Sequence, residues 1–250
     1  MTKEEAMLEK RLIELSKMAY HRDIVTFSDF LNLNELHILH SIPKNLLSSP
    51  YETFGGYEYA ERQMVAFLPG ALSYTKDYPI CALSISPLHA KYAEELTHRD
   101  YLGAVLNLGI DRCKIGDLAI QDRNCFVFCR DKIADYIMEQ LTRVRHTMVS
   151  VKRLELKEFS YKPGLQEASG TVASVRLDSV LSIGFPLSRS KLTGYIEGGK
   201  VFVNGKLITN NGYHLKQNDI ISVRGMGRIL YDGILSETRK GRYFVRIYKY

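Results

Sequence analysis

RLDSVLSIGFPLSRSKLTGYIEGGKVFVNGKLITNNGYHLKQNDIISV, residues 176–223, lays out two short helices followed by strands. Leu177, Val180 and Leu181 make one apolar stripe of a first helix, the spacing a helix face requires. Gly184 and Pro186 end it. Ser188 stands where an N-cap is expected, ahead of a second helix that turns Leu192, Tyr195 and Ile196 inward. Gly198-Gly199 stops that helix. Val201 and Val203 alternate into a strand, Asn204-Gly205 can take the positive φ angles of a tight hairpin turn, and Ile220, Ile221 and Val223 supply another strand. With the apolar stripes facing inward, Arg176, Arg189, Lys191, Lys200 and Lys206 are left for the surface. Arg189 and Lys191 fall in the first turn of the second helix, where unpaired N–H groups and the helix dipole attract phosphate.

The charge of the chain is concentrated in the same region. The whole sequence carries a net +6, but Arg176 to Tyr250 alone holds thirteen Lys and Arg against five Asp and Glu, and the remainder is slightly acidic. A positive field on one folded segment points to a polyanion partner. The final stretch repeats the theme: alternation in RYFVRIY puts Tyr243, Val245 and Ile247 on one face and Arg242, Phe244, Arg246 and Tyr248 on the other. A basic-aromatic face of that kind can hold phosphates and stack on bases, although a surface strand with solvated arginines accounts for it equally well.

Upstream, the expected organisation is α+β in three parts. Residues 1–75 read as a mostly helical N-terminal domain: Leu8, Leu12, Leu15 and Met18 recur at helical spacing, and a second helix starts near Phe30 and ends before Pro43. Residues 76–160 read as strand Ile80–Ile85, helix Tyr92–Leu108, strands Cys113–Ile120 and Cys125–Cys129, a helix that Asp131 caps, and a strand from Val149 to Phe159. That β-α-β-β-α-β order is ferredoxin-like, as in RNA-recognition motifs. Phe126 and Phe128 echo the base-stacking aromatics of such motifs only faintly and are expected in the core. Residues 161–174, with Pro163, Gly164 and Gly170 and no periodicity, read as a linker to a basic domain over 175–250.

Enzyme classes find little support. Four cysteines form no C-x-x-C pair, and Cys125 and Cys129 flank an apolar segment, so buried free thiols are expected. His37 and His40 lack a third ligand, and neither a metal nor a cofactor is expected. His98-Arg99-Asp100 has no glycine-rich loop or Asp-Phe-Gly to make it a kinase site. Gly198-Gly199-Lys200 lacks the rest of a P-loop. No apolar run is long enough to cross a bilayer, and the charged start MTKEEAMLEKRLIEL is unlike a secretory signal. A cytoplasmic monomer is expected.

The order RLDxxL, SRxK and GGKVxVNG over about residues 175–225 resembles the RNA-binding domain of ribosomal protein S-four and its relatives. The resemblance implies that Arg176, Ser188, Arg189, Lys191, Lys200, Asn204 and Lys206 lie on or beside an RNA-binding face. Two departures are Leu192, where a small residue is common, and Asn218-Asp219 in place of Gly-Asp. Asn also tolerates the left-handed conformation. Further upstream, LTHRDYLGA (96–104), LGIDR (108–112), IGD (115–117) and ERQM (61–64) resemble the YlmH family. This implies an RqcP-like quality-control role on the large ribosomal subunit, with ribosomal RNA and tRNA or peptidyl-tRNA as partners. Arg99, Arg112 and Lys114 of the central domain are the candidates to meet tRNA. Two alternatives stand beside it. One is an RNA-modifying enzyme of the pseudouridine synthase or methyltransferase accessory type, although the only Arg-Leu-Asp lies inside the binding domain. The other is an adaptor that recruits a protein through its acidic N-terminal part.

Overall fold

The computed structural model describes residues 2–70, 77–157, 159 and 164–250, and the chain divides into two compact units, residues 1–161 and 162–250. In the first unit, helix α1 (Lys3–Arg22) starts at a capping box in which Thr2 and Glu5 satisfy each other's backbone N–H groups, and it ends at Asp23 in the left-handed conformation. Leu12, Leu15 and Ala19 form its buried stripe. Helix α2 (Leu33–Ser41) repeats the device with Asn32 and Glu35 and stops ahead of Pro43, as the residue before a proline disfavours helix.

Helical periodicity did not disclose the small sheet packed beneath these helices. Strands β1 (Thr26–Phe27), β2 (Tyr51–Phe54) and β3 (Met64–Phe67) pair antiparallel in the order β1-β3-β2. Every residue of β3 is buried. Val65 and Phe67 pack under α1 and α2, while Met64 belongs to a second cluster with Phe30, Ile80, Ala82 and Phe128.

That second cluster joins the N-terminal layer to the central sheet. Strands β4 (Ile80–Pro87), β5 (Ile115–Gln121), β6 (Asn124–Arg130), β7 (Arg143–Val144) and β8 (Thr147–Leu154) form an antiparallel sheet in the order β5-β6-β4-β8-β7, with helices α3 (His98–Leu106) and α4 (Asp131–Gln140). This is the expected ferredoxin-like order. Cys81, Leu83, Ile85, Val127 and Cys129 face the helices, against Tyr101, Val105, Ala134 and Ile137. The opposite face, which an RNA-recognition motif leaves open, is covered by the N-terminal layer. Phe128 is fully buried and stacks on Tyr57, with centroids 4.9 Å apart, and Phe126 meets Phe159 edge to face. Phe128 is therefore core, as expected, whereas Phe126 is half-buried at the edge of that layer. The Cys125–Cys129 run, apolar at every position, is the signature of a strand buried on both faces. The expected boundary at 75/76 lies outside the described residues.

Several boundaries differ from expectation. Helix α3 begins at His98 rather than near Tyr92, because the Asp100 carboxylate accepts both the backbone N–H and the hydroxyl of Thr97 (2.8 and 2.7 Å) and fixes the start there. Asp131 is the first helical residue of α4, with Arg130 at the cap position, and its carboxylate accepts from Arg153 at 2.8 Å. Strand β8 ends at Leu154 rather than Phe159.

The second unit is one antiparallel sheet packed on a helix pair. Strand β9 (Gln166–Val172) lies inside the stretch 161–174 that reads as linker. Its alternation is faint, because the inward positions before Val172 are the small residues Ala168 and Gly170, between exposed Glu167, Ser169 and Thr171. It is a strand because it pairs along its whole length with β14 (Tyr243–Lys249). Helices α5 (Leu177–Gly184) and α6 (Arg189–Glu197) are followed by β10 (Val201–Val203), β11 (Lys206–Leu207), β12 (Asp219–Val223) and β13 (Gly227–Glu237). Gly184 ends α5 where a Cβ would come within 2.9 Å of Ile229 Cγ2, so the close seating of α5 on the sheet requires glycine. Asn204 and Gly205 take φ values of 48° and 78°, as expected of the hairpin turn, and Asn218 is left-handed at 68°.

Candidate nucleic-acid interface

Two arginines of the second unit are held from beneath by one carboxylate. Asp178, with a side chain 14% exposed, accepts from Arg176 Nε at 3.2 Å and lies 3.7 Å from an Arg189 terminal nitrogen. Arg189 also donates to the Ser179 hydroxyl, yet its side chain stays 61% exposed. The start of α5 and the start of α6 therefore present two guanidinium groups side by side, each held on one flank and open on the other. The side chain of Ser188 makes no cap bond, and its hydroxyl lies 3.2 Å from that of Ser190.

Lys191 and Tyr195 are one turn apart on α6 and so share a face. Lys200 Nζ lies 5.0 Å from the centre of the Tyr195 ring, which places a second ammonium beside that face. Lys206 is exposed on β11, across the hairpin from Val203. Together these residues can grip phosphate oxygens, the arginines bidentately and the lysines as point charges.

Four of the expected site residues are engaged in the fold. The Asn204 amide donates to Asp219 at 2.8 Å, and its oxygen accepts the Ile220 N–H at 2.9 Å, so this side chain fastens the hairpin to β12. Arg246 is held by Asp232 at 2.6 Å, and that hydrogen bond raises its pKa. Lys114 donates to Asp29 at 2.7 Å. Arg112 donates to the Gly116 carbonyl at 3.1 Å, and burial beside Arg62 brings its pKa down to about 10. Lys114 thereby ties the N-terminal layer to the central sheet, and Arg112 folds back onto its own segment. Arg99 is exposed on α3. Arg242 is exposed too, with one N–H on the Thr171 carbonyl at 3.2 Å.

In the tail, Val245 and Ile247 are buried, and Phe244, Arg246 and Tyr248 take the opposite side, as alternation predicts. Sequence reasoning overlooked the cations around it. Arg228 lies over Tyr250 at 4.6 Å, Arg224 over Phe202 at 5.2 Å, and Arg239 and Lys240 are exposed in the β13–β14 turn. The run TRKGR (238–242) was the available signal.

Comparison with known proteins agrees with this layout. The family described as "Putative RNA-binding domain in YlmH" matches residues 74–158, and the S4 domain matches residues 175–221. The chain thus carries a segment similar to that domain of YlmH, followed by an S4 domain. Over 248 residues it is 26% identical to "Ribosome-associated protein quality control protein P2" of Bacillus subtilis (strain 168), a match covering 97% of this chain and 94% of that protein. A solved structure, "Cell division protein ylmH from Streptococcus pneumoniae", is similar in fold, with a TM-score of 0.52 at 20% identity, over 63% of this chain and 95% of that one. The YlmH-type domain thus corresponds to the ferredoxin-like sheet, and the S4 domain to α5, α6 and the first strands after them. Strands β13 and β14 lie beyond the matched segment, and β9 precedes it. The cysteines are free thiols, and burial pushes that of Cys125 up to about 12. Among the described residues, no cluster of His, Cys, Asp or Glu is placed to hold a metal, and no helix is long and apolar enough to cross a membrane.

Proposed function

We propose that this protein is a ribosome-associated RNA-binding factor that acts in the quality control of stalled translation. Its S4 face holds ribosomal RNA of the large subunit, and its YlmH-type domain reaches tRNA or peptidyl-tRNA. The observation that carries the reading is the pair Arg176 and Arg189, poised on Asp178 at the starts of two helices and continued by Lys191 on α6 and by Lys200 beyond its end. Contacts of this type bind backbone and read little sequence, so recognition of one ribosomal state needs a second contact elsewhere in the chain. Two modest contacts on one ligand multiply through effective concentration. The quality-control role is supported by the name of the Bacillus relative. The sequence resemblance, not the geometry, motivates the peptidyl-tRNA detail.

The test is binding of the full chain to purified large subunits with and without peptidyl-tRNA, in wild type and with Arg189→Glu. The expected result is stronger binding to the tRNA-bearing subunits and a severe loss in the variant. Equal binding of empty and loaded subunits would defeat the peptidyl-tRNA part. Full binding by Arg189→Glu would defeat the S4 part.

A further inference from the structure

Helix α3 and the β7–β8 hairpin enclose a groove of about 540 Å3, lined by Arg99, Gly103, Asn107, Arg143 and Arg145. Arg99, Gly103 and Asn107 follow one another at intervals of four along α3, so they form a single line on the helix face turned away from Tyr101 and Val105. Across the groove, Arg143 stands on β7 and Arg145 in the turn that follows it. All three arginines are exposed. The one carboxylate of the lining, Asp100, is occupied by Thr97 and lies 3.7 Å from Arg145.

Two of these residues run against local preference. Gly103 sits inside a nine-residue helix, where glycine is less favourable than alanine. Packing does not require it, because a Cβ there would meet nothing within 4 Å. Arg145 has a φ of 52°, in the left-handed region that hairpin turns usually give to Gly, Asn or Asp. Local rules broken without structural need gather at functional sites, and both breaches line the same groove. The missing Cβ keeps its floor low, and the turn holds a guanidinium at its wall.

We propose that this groove is a second RNA site, taking backbone phosphates on Arg99, Arg143 and Arg145. It rests on the reading of the chain as an RNA-binding protein, but on different residues from the S4 face. Guanidinium forks suit the paired oxygens of a phosphodiester, and the amides of Asn107 and Gln140 supply donors between them. The chemistry is common to tRNA and ribosomal RNA.

The full chain is titrated into labelled bulk tRNA and, separately, labelled large-subunit ribosomal RNA. The variants are Gly103→Leu, which fills the groove, Arg143→Gln/Arg145→Gln, which discharges it, and Lys191→Glu on the S4 face. Both groove variants are expected to weaken binding to at least one RNA by about tenfold, as lost phosphate contacts should, with the Gly103→Leu melting temperature held or raised. Loss on tRNA alone or on ribosomal RNA alone identifies the source. Wild-type affinity of both folded groove variants for both RNAs overturns the site, including the case in which they lose a protein partner instead. Should Gly103→Leu misfold, the double arginine variant decides, since it alters only exposed side chains. Lys191→Glu binding normally while the groove variants fail would overturn the S4 reading and leave the groove standing.

Discussion

The Asp117 carboxylate accepts the backbone N–H of Arg62 at 3.0 Å, while the Arg62 side chain donates to the carbonyls of Ile115 and Phe30, each at 3.0 Å. Asp117 also takes the N–H of Glu61 and the hydroxyl of Tyr57. The segments ERQM and IGD, which resemble the YlmH family, thus meet as one clamp between the N-terminal layer and the central sheet.

Asp117→Ala should accordingly destabilise the first unit by about 2–4 kcal/mol, since several donors lose a charged acceptor at once. RNA affinity, measured well below the melting transition, should stay unchanged. Urea denaturation paired with an RNA titration checks this. A variant as stable as wild type would show that the clamp is not structural.

Arg112→Met should behave alike. It removes a half-buried guanidinium that serves the Ile115 and Gly116 carbonyls, and a cost of about 1–3 kcal/mol is expected for the acceptors left behind. Its RNA affinity should match wild type. Lost affinity at full stability would mark Arg112 as an RNA contact.

Arg189→Glu is expected to reduce RNA affinity by at least tenfold, as it reverses charge at a helix start and sets a carboxylate beside Asp178. Because the side chain is largely exposed, the stability cost should stay near about 0.5–1 kcal/mol. Collapse of the fold would mark Arg189 as structural.

Affinity of the full chain for RNA should fall by orders of magnitude between roughly 50 and 200 mM salt, with Lys191→Ala lowering the slope of log affinity against log salt by about one. A flat salt profile would contradict binding through phosphates.

Stability should decline at alkaline pH. Burial raises the Cys125 thiol and the Tyr101 hydroxyl to about 12 each. Their stabilising effect is complete below the unfolded values, roughly 8.5 for Cys and 10 for Tyr. It is lost as pH rises from there towards 12, because the unfolded chain ionises first. Urea midpoints at pH 7 and pH 10 measure this, and Cys125→Ala should flatten the part of the decline that begins near pH 8. Equal slopes in variant and wild type would remove Cys125 as a cause.

The sequence by itself determined whatever depends on neighbours in the chain. The stripes of α5 and α6, the glycines that end them, the Asn204-Gly205 turn, the β-α-β-β-α-β order and the basic last third were all legible, because periodicity, caps and turn conformations act within a few residues. Tertiary structure decided which faces are covered and which charges are free. Arg112 and Lys114 read as available cations, but Lys114 meets Asp29 from 85 residues away, and no local pattern announces such a pair. Arg143 and Arg145 had no motif to mark them and gained significance only opposite Gly103. Strand β9 turns only Ala168, Gly170 and Val172 inward, too weak an alternation to stand out in the sequence, and pairing with β14 and packing on α5 make it a strand. In each case the deciding partner is distant in sequence, and burial and electrostatics act through space.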